Sequence, residues 1–316
     1  MPGRIADISL DHVAVAVERW PDAWPRYAVD LGGTWSSGGL NVGFGPAQLR
    51  FANGGRVEVL QPWMPEQNPF LRRFLDRHGP APHHLTFKVP DLVTAIDRSR
   101  QAGFDPIGIN LRDPGWKEAF LHPHRATGIV VQLAQAAHGW ESPAPEGFPT
   151  KRRSPAAALL RVTHAVADLD AGLALFAELL GGTVRGRGDG PGGAWRFVDL
   201  SWSEPPALRL VAPVDGGERH PVLGDWLGNL PGRARHLVFA ATGLPGELGH
   251  PATPDTEPGL APTDGAASVV EPADNNGTRL VLLDGAPADD DGGGPGRRRP
   301  GWRGRGAAGR RAGPLH

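Results

Sequence analysis

Apolar and polar positions alternate along this chain in short blocks that return at a nearly fixed spacing. Four of these blocks begin on a histidine: LDHVAVAV at His12, PHHLTFKV at His84, RVTHAVADL at His164 and ARHLVFAA at His236, separated by 72, 80 and 72 residues. Each is followed 45 to 48 residues later by a second apolar strand, around Glu58, Gln132, Arg209 and Val281. Matching punctuation at a fixed period predicts one supersecondary unit used four times.

Within the first unit, residues 8–17 alternate as a half-buried strand, with Val13, Val15 and Val17 on one side and His12, Ala14 and Ala16 on the other. A helix is expected from Trp20 to Leu31, with Pro21 in its first turn and Gly32-Gly33 ending it. Strands follow near 34–38, 46–52 and 55–61, giving β-α-β-β-β, and a polar helix, Asn68 to Arg77, leads on. The second unit repeats the order: strand 83–89, helix 91–102, then strands 104–111, 117–121 and 128–134. The third has strand 160–167, helix 170–180 and strands near 183–186, 194–201 and 206–213. The fourth has strands at 235–241, 267–271 and 278–283, but Pro and Gly crowd 242–265, so its helix is expected to be eroded. The expected class is α+β: four tandem βαβββ modules paired into two domains with curved mixed sheets. The expected boundaries are a first domain at 1–137, a Pro-rich charged linker at 138–157, a degenerate second domain at 158–284 and a disordered Arg/Gly/Pro tail at 285–316.

Composition narrows the chemistry. There is no cysteine among the 316 residues, which excludes disulfides, thiolate metal sites and a cysteine nucleophile. The net charge of -1 gives no bulk attraction to nucleic acid or anionic membrane, and neither is an expected partner. No apolar run approaches the roughly 20 residues of a membrane span, and MPGRIADISLDH lacks a basic segment followed by an apolar core. A cytoplasmic protein handling a small molecule is expected, as a monomer or homodimer.

The recurring positions differ between the halves. In the first they hold His12, Glu58, His84 and Gln132, a set of imidazole, carboxylate and amide that suits one divalent ion, Zn, Co, Mn, Ni or Fe. The expected geometry puts His12 and Glu58 on the outer strands of one four-stranded unit, and His84 and Gln132 on the matching strands of the next. In the second half the same reading gives His164, Arg209, His236 and Val281, and Arg does not ligate metals. His83 is expected on the opposite side of its strand from His84. His122 and His124 are expected in a turn, and Trp195, Phe197 and Trp202 are core residues or walls of a pocket in the second half.

LDHVAVAV, VEVLQP, FLRRFLDRHG, HHLTFKVPDL and FLHPHRATGIVVQLAQ, in this order over residues 8–136, resemble the vicinal oxygen chelate superfamily: glyoxalase I, methylmalonyl-CoA epimerase, extradiol dioxygenases and bleomycin-resistance proteins. The likeness is strongest to methylmalonyl-CoA epimerase and glyoxalase-like proteins. It implies a divalent metal on His12, Glu58, His84 and Gln132, chelating a small carbonyl or acyl-thioester substrate whose enolate the metal stabilises. The epimerases carry a Glu on the last strand and a basic Glu on the third. Here the last strand has Gln132, and Gly38–Gln48 contains no acid, so either Glu58 leaves the metal to act as the catalytic base, or another group serves, or the chemistry differs. The same resemblance also implies two other readings: a non-haem Fe(II) dioxygenase on the two-His-one-carboxylate set, or a non-catalytic drug-sequestering protein.

Overall fold

The computed structural model describes residues 4–137, 141–214, 221–243, 248–261 and 264–285. The expected Arg/Gly/Pro tail from 286 onward, and residues 138–140 of the expected linker, lie outside the described residues.

The first half contains β1 (Ser9–Ala16), α1 (Trp20–Ala23) running on into a π-helical stretch (Trp24–Asp30), β2 (Thr34–Gly38), β3 (Gly43–Arg50) and β4 (Arg56–Trp63). It continues with α2 (Phe70–His78), β5 (Ala81–Lys88), α3 (Leu92–Gln101), β6 (Ile107–Asn110), β7 (Trp116–Leu121) and β8 (Val130–Ala136). The second half has β9 (Ala158–Val166), α4 (Leu169–Leu173) with a π-helical continuation (Ala174–Leu179), β10 (Thr183–Asp189), β11 (Trp195–Ser201) and β12 (Ala207–Pro213). Then come α5 (Pro221–Leu227), β13 (Gly232–Ala241), β14 (His250–Ala252), β15 (Ala267–Val270) and β16 (Leu280–Asp284). The class is mostly β rather than the expected α+β, because the helices are few and short beside two eight-stranded mixed sheets. The periodicity misses only α5 and the three-residue β14, both too short to show a period. No α-helix is found among the described residues between β13 and β14.

Both sheets have one strand order: β2-β3-β4-β1-β5-β8-β7-β6 and β10-β11-β12-β9-β13-β16-β15-β14. β1 pairs parallel with β4 and antiparallel with β5, and β5 pairs parallel with β8. The expectation that Glu58 lies on an outer strand is therefore corrected. β4 is flanked on both sides, and β4, β1, β5 and β8 are contiguous in the middle of one sheet. Central strands keep every backbone donor and acceptor paired, so side chains placed there are held on a stiff frame.

Alternation assigns the faces. On one face Leu10, Val13, Val15, Val57, Val59, Leu85, Phe87, Val131 and Leu133 join a single hydrophobic core with Val162, Phe176, Leu210, Leu237 and Phe239 of the second half. Phe87 stacks against Phe176 and Trp202, and Phe51 against Phe239. Trp202 thus lies between the halves, and Trp195 is buried in the second. Residues 141–157 lie against the first half: Ser142 bonds Gly38 and the Trp35 indole, and Phe148 packs on Trp24 and Trp35. No described helix is long and apolar enough to cross a membrane.

Candidate metal centre

The face of the first sheet turned away from that core carries His12 and Ala14 on β1, Glu58 on β4, His84 and Thr86 on β5 and Gln132 on β8. Register places Ala14 beside both Glu58 and His84, and Thr86 beside both His12 and Gln132. His12, Glu58 and His84 are the one group of three or more possible ligands found among the described residues, and their ligand atoms lie within 4.8 Å of one another. All three are buried. One Glu58 oxygen, Oε2, is 3.5 Å from His12 Nε2 and 3.7 Å from His84 Nε2, and the two imidazole centroids are 5.8 Å apart.

Both Nε2 atoms are buried without a hydrogen-bond partner among the described residues. Leaving a buried polar nitrogen unpaired costs about 1–3 kcal/mol. Two such nitrogens converging on one carboxylate oxygen are what a divalent ion would satisfy at once, so the donor set fits the ion that the sequence suggests.

The other ring nitrogens are occupied. His12 Nδ1 meets Asp11 Oδ2 at 2.8 Å, and Asp11 Oδ1 takes Arg56 at 2.6 Å and Lys88 at 2.9 Å. Adjacent residues on a regular strand face opposite ways. Here the pairing with β5 shifts between Leu10 and His12, and the bulge lets Asp11 reach its neighbour's ring. A second shift, between Ala14 and Val15, does the same for His83, whose Nδ1 lies 2.8 Å from His84 Nδ1. His83 packs on Phe74 and Phe70 of α2, the helix that covers this face, so the expectation of an opposite-facing His83 is corrected. With each Nδ1 engaged, both rings present Nε2 to Glu58.

Burial alone would lower the His12 pKa, but the facing Glu58 and Asp11 carboxylates overcome it and raise it to about 9. Burial also opposes ionisation of Asp11, yet the bond from His12 and the nearby Lys88 and Arg56 hold it well below the usual carboxylate range. His84 is pushed well below the ordinary histidine value by burial, then by His83 and His12.

Three further residues at the centre were not singled out from sequence. They are Asp11, Gln48, whose Nε2 lies 3.3 Å from Glu58 Oε1 across the β3–β4 ladder, and Glu118 on β7, whose Oε2 lies 2.8 Å from Gln132 Nε2. Gln48 could have been found by counting register back from Glu58. Asp11 could not, because alternation argues against it. Gln132 Oε1 accepts the Thr86 hydroxyl at 2.6 Å. His122 takes part in its own turn, accepting the His124 N–H at 3.2 Å.

The second sheet corrects one assignment. His236 pairs with Thr163 as His84 pairs with Ala14, and Thr163 pairs with Arg209 as Ala14 pairs with Glu58. The position matching His12 is therefore Arg161, whereas His164 lies on the core face against Phe176 with Nε2 2.7 Å from the Thr127 carbonyl. Arg161 and Arg209 both reach Asp264 Oδ2, at 2.5 and 3.1 Å, and Arg209 also bonds the Gly259 carbonyl. Glu257 binds Arg235, His236 and Arg279. Glu257, Gly259 and Asp264 thus set ion pairs and a backbone acceptor on this face.

Residues 11–120 match the Glyoxalase/Bleomycin resistance protein/Dioxygenase superfamily. The ethylmalonyl-CoA/methylmalonyl-CoA epimerase of Cereibacter sphaeroides is 28% identical over 131 residues, covering 40% of this chain and 96% of the relative. Among solved structures, a mutant 4-hydroxymandelate synthase from Streptomyces coelicolor aligns over 92% of this chain and 95% of its own length, with TM-score 0.58 and 15% identity, a likeness of fold alone. Methylmalonyl-CoA epimerase from Mycobacterium tuberculosis covers 41% of this chain and 89% of its own, with 26% identity and TM-score 0.37.

Proposed function

Since the chain carries a domain of the glyoxalase, bleomycin-resistance and dioxygenase superfamily over residues 11–120, we propose that it is a metal-dependent enzyme of the glyoxalase and epimerase kind. Its substrate would be a small carbonyl compound or acyl thioester with an acidic α-hydrogen. The fold is read as four repeats of the βαβββ pattern, the last without a described helix, in two domains split at residues 138–157, with the working centre in the first. The observation that carries this reading is the pair of unpartnered, buried Nε2 atoms of His12 and His84 converging on Glu58 Oε2.

His12, His84 and Glu58 would hold the ion, with the Gln132 amide oxygen as a fourth, weaker ligand. When bound, a divalent ion supplies a Lewis acid that draws electron density onto a carbonyl oxygen and stabilises the enolate. The chain's own groups do the rest. Glu58 Oε1, steadied by the Gln48 amide, takes the α-proton: the C–H bond breaks, an O–H bond forms, and the electron pair moves onto the carbonyl oxygen. Return of a proton from solvent to the opposite face of the same carbon, with the electron pair moving back from oxygen to form the new C–H bond, gives the epimer. α2, with Phe70 and Phe74, covers the site and limits the entry of water.

The relative's printed substrate supplies a probe. Protein reconstituted with Co(II) and incubated with methylmalonyl-CoA in D2O is expected to place deuterium at the α-carbon. His12→Ala and Glu58→Gln should each slow this by about 10²-fold or more. Absence of exchange in the unaltered protein, or exchange that survives His12→Ala, would refute the reading.

The two-His-one-carboxylate composition of the site favours one second reading, an Fe(II) oxygenase. Oxygen uptake after anaerobic loading with Fe(II) would replace the first reading with this one.

A further inference from the structure

The Gln132 side chain is gripped at both ends. Glu118 Oε2 receives Gln132 Nε2 at 2.8 Å and the Trp116 indole N–H at 2.9 Å, while the buried Thr86 hydroxyl donates to Gln132 Oε1 at 2.6 Å. A carboxylate offers only acceptors, so it commits the amide to present its NH2 toward β7. The oxygen is then turned toward Thr86, the β5 residue that stands in register between Gln132 and His12. That is the side on which His12, Glu58 and His84 meet.

We infer that Glu118 is a positioning residue: it fixes the Gln132 amide with its oxygen toward the His12–Glu58–His84 cluster, the only amide orientation that can complete a divalent cation's ligand set. The inference rests on the metal reading above. It also gives a physical reason for an amide at 132, because a carboxylate there would stand against Glu118 at hydrogen-bond distance, and two like charges so close disfavour each other's ionised forms. Partners of this kind commonly govern affinity for the ion by about 10- to 100-fold.

The test is a cycle read with Co(II) alone, by titration calorimetry and the visible absorption of the bound ion, on the full chain and its Glu118→Gln, Gln132→Glu and doubly substituted forms. Glu118→Gln, which can present either end to the amide, is expected to weaken Co(II) binding by about 10- to 100-fold and to alter the visible bands. In the Gln132→Glu background the same substitution is expected to strengthen binding, since it removes a like charge. Trp116→Phe, which frees one side of the carboxylate, should weaken binding in the same direction by a smaller factor. A Glu118→Gln protein that binds Co(II) within about twofold of the unaltered chain overturns the inference. So does equal weakening in both backgrounds, the signature of a merely structural role. If the unaltered chain binds no Co(II), the metal reading fails and takes this inference with it; binding that ignores Glu118 refutes the inference alone.

Discussion

Asp11 is the residue whose role depends most on local backbone geometry. The bulge after Leu10 turns its carboxylate to His12 Nδ1, and against the effect of burial His12 first, then Lys88 and Arg56, keep that carboxylate charged. It fixes which imidazole nitrogen remains free for the centre. Asp11→Asn is expected to lower Co(II) affinity by about 10- to 100-fold while leaving the far-ultraviolet circular dichroism unchanged, measured by calorimetry. His12, Glu58 and His84 were legible in the sequence because the repeat brings like positions to like places. Asp11 and His83 were not, since a bulge adds one residue to one strand and reverses the alternation without a compositional mark. His164 shows the converse: a histidine in the expected place in the repeat, three residues past the position that matches His12, faces the core.

At the scale of elements, Glu257 and Asp264, from the Pro- and Gly-rich stretch before β15, decide the difference between the halves. Pro and Gly there announced the loss of a helix, but not that Glu257 and Asp264 would fold back onto Arg235, Arg161 and Arg209. Pairings across long loops leave no local periodicity to read. Burial of these groups has a measurable consequence. His164 and His236 are each lowered to about 4, chiefly by burial, so the unfolded chain takes up their protons first as pH falls. Their contribution to stability is full above the ordinary value of 6.5 and is lost between 6.5 and 4. Glu257 is lowered to about 2: burial opposes this, and His236, Arg235 and Arg279 outweigh it. Its contribution is full above 4.5 and is lost between 4.5 and 2. The melting temperature of the metal-free protein is expected to fall in two successive acid stages, and His164→Gln should flatten the upper one. A melting temperature that stays level from pH 6.5 to 4 would contradict this.

At the scale of the molecule, the two sheets are locked back to back by a pair of matching close approaches. Thr127 and Gly128 before β8, and Asn276 and Gly277 before β16, have the same positive-φ conformation. A Cβ on Gly128 would stand 1.7 Å from the Gly232 carbonyl oxygen, and one on Gly277 would stand 1.5 Å from the Pro80 carbonyl oxygen. Only glycine lets the backbones meet so closely. Gly128→Ala is therefore expected to cost about 1–3 kcal/mol of unfolding free energy, read from the urea midpoint, whereas Gly54→Ala, on an open turn with nothing nearby, should cost less. The shared core beneath these contacts was visible as alternating apolar residues, but its continuity between the halves was not, since alternation identifies a buried face and not its partner.

The central claim is that this chain holds one divalent ion, in the first half alone. Metal content by inductively coupled plasma mass spectrometry, after Co(II) loading and desalting, tests it most directly. The account predicts one ion per chain, reduced to near zero by His84→Ala and unchanged by His236→Ala. Two ions per chain, none, or one that survives His84→Ala would contradict it.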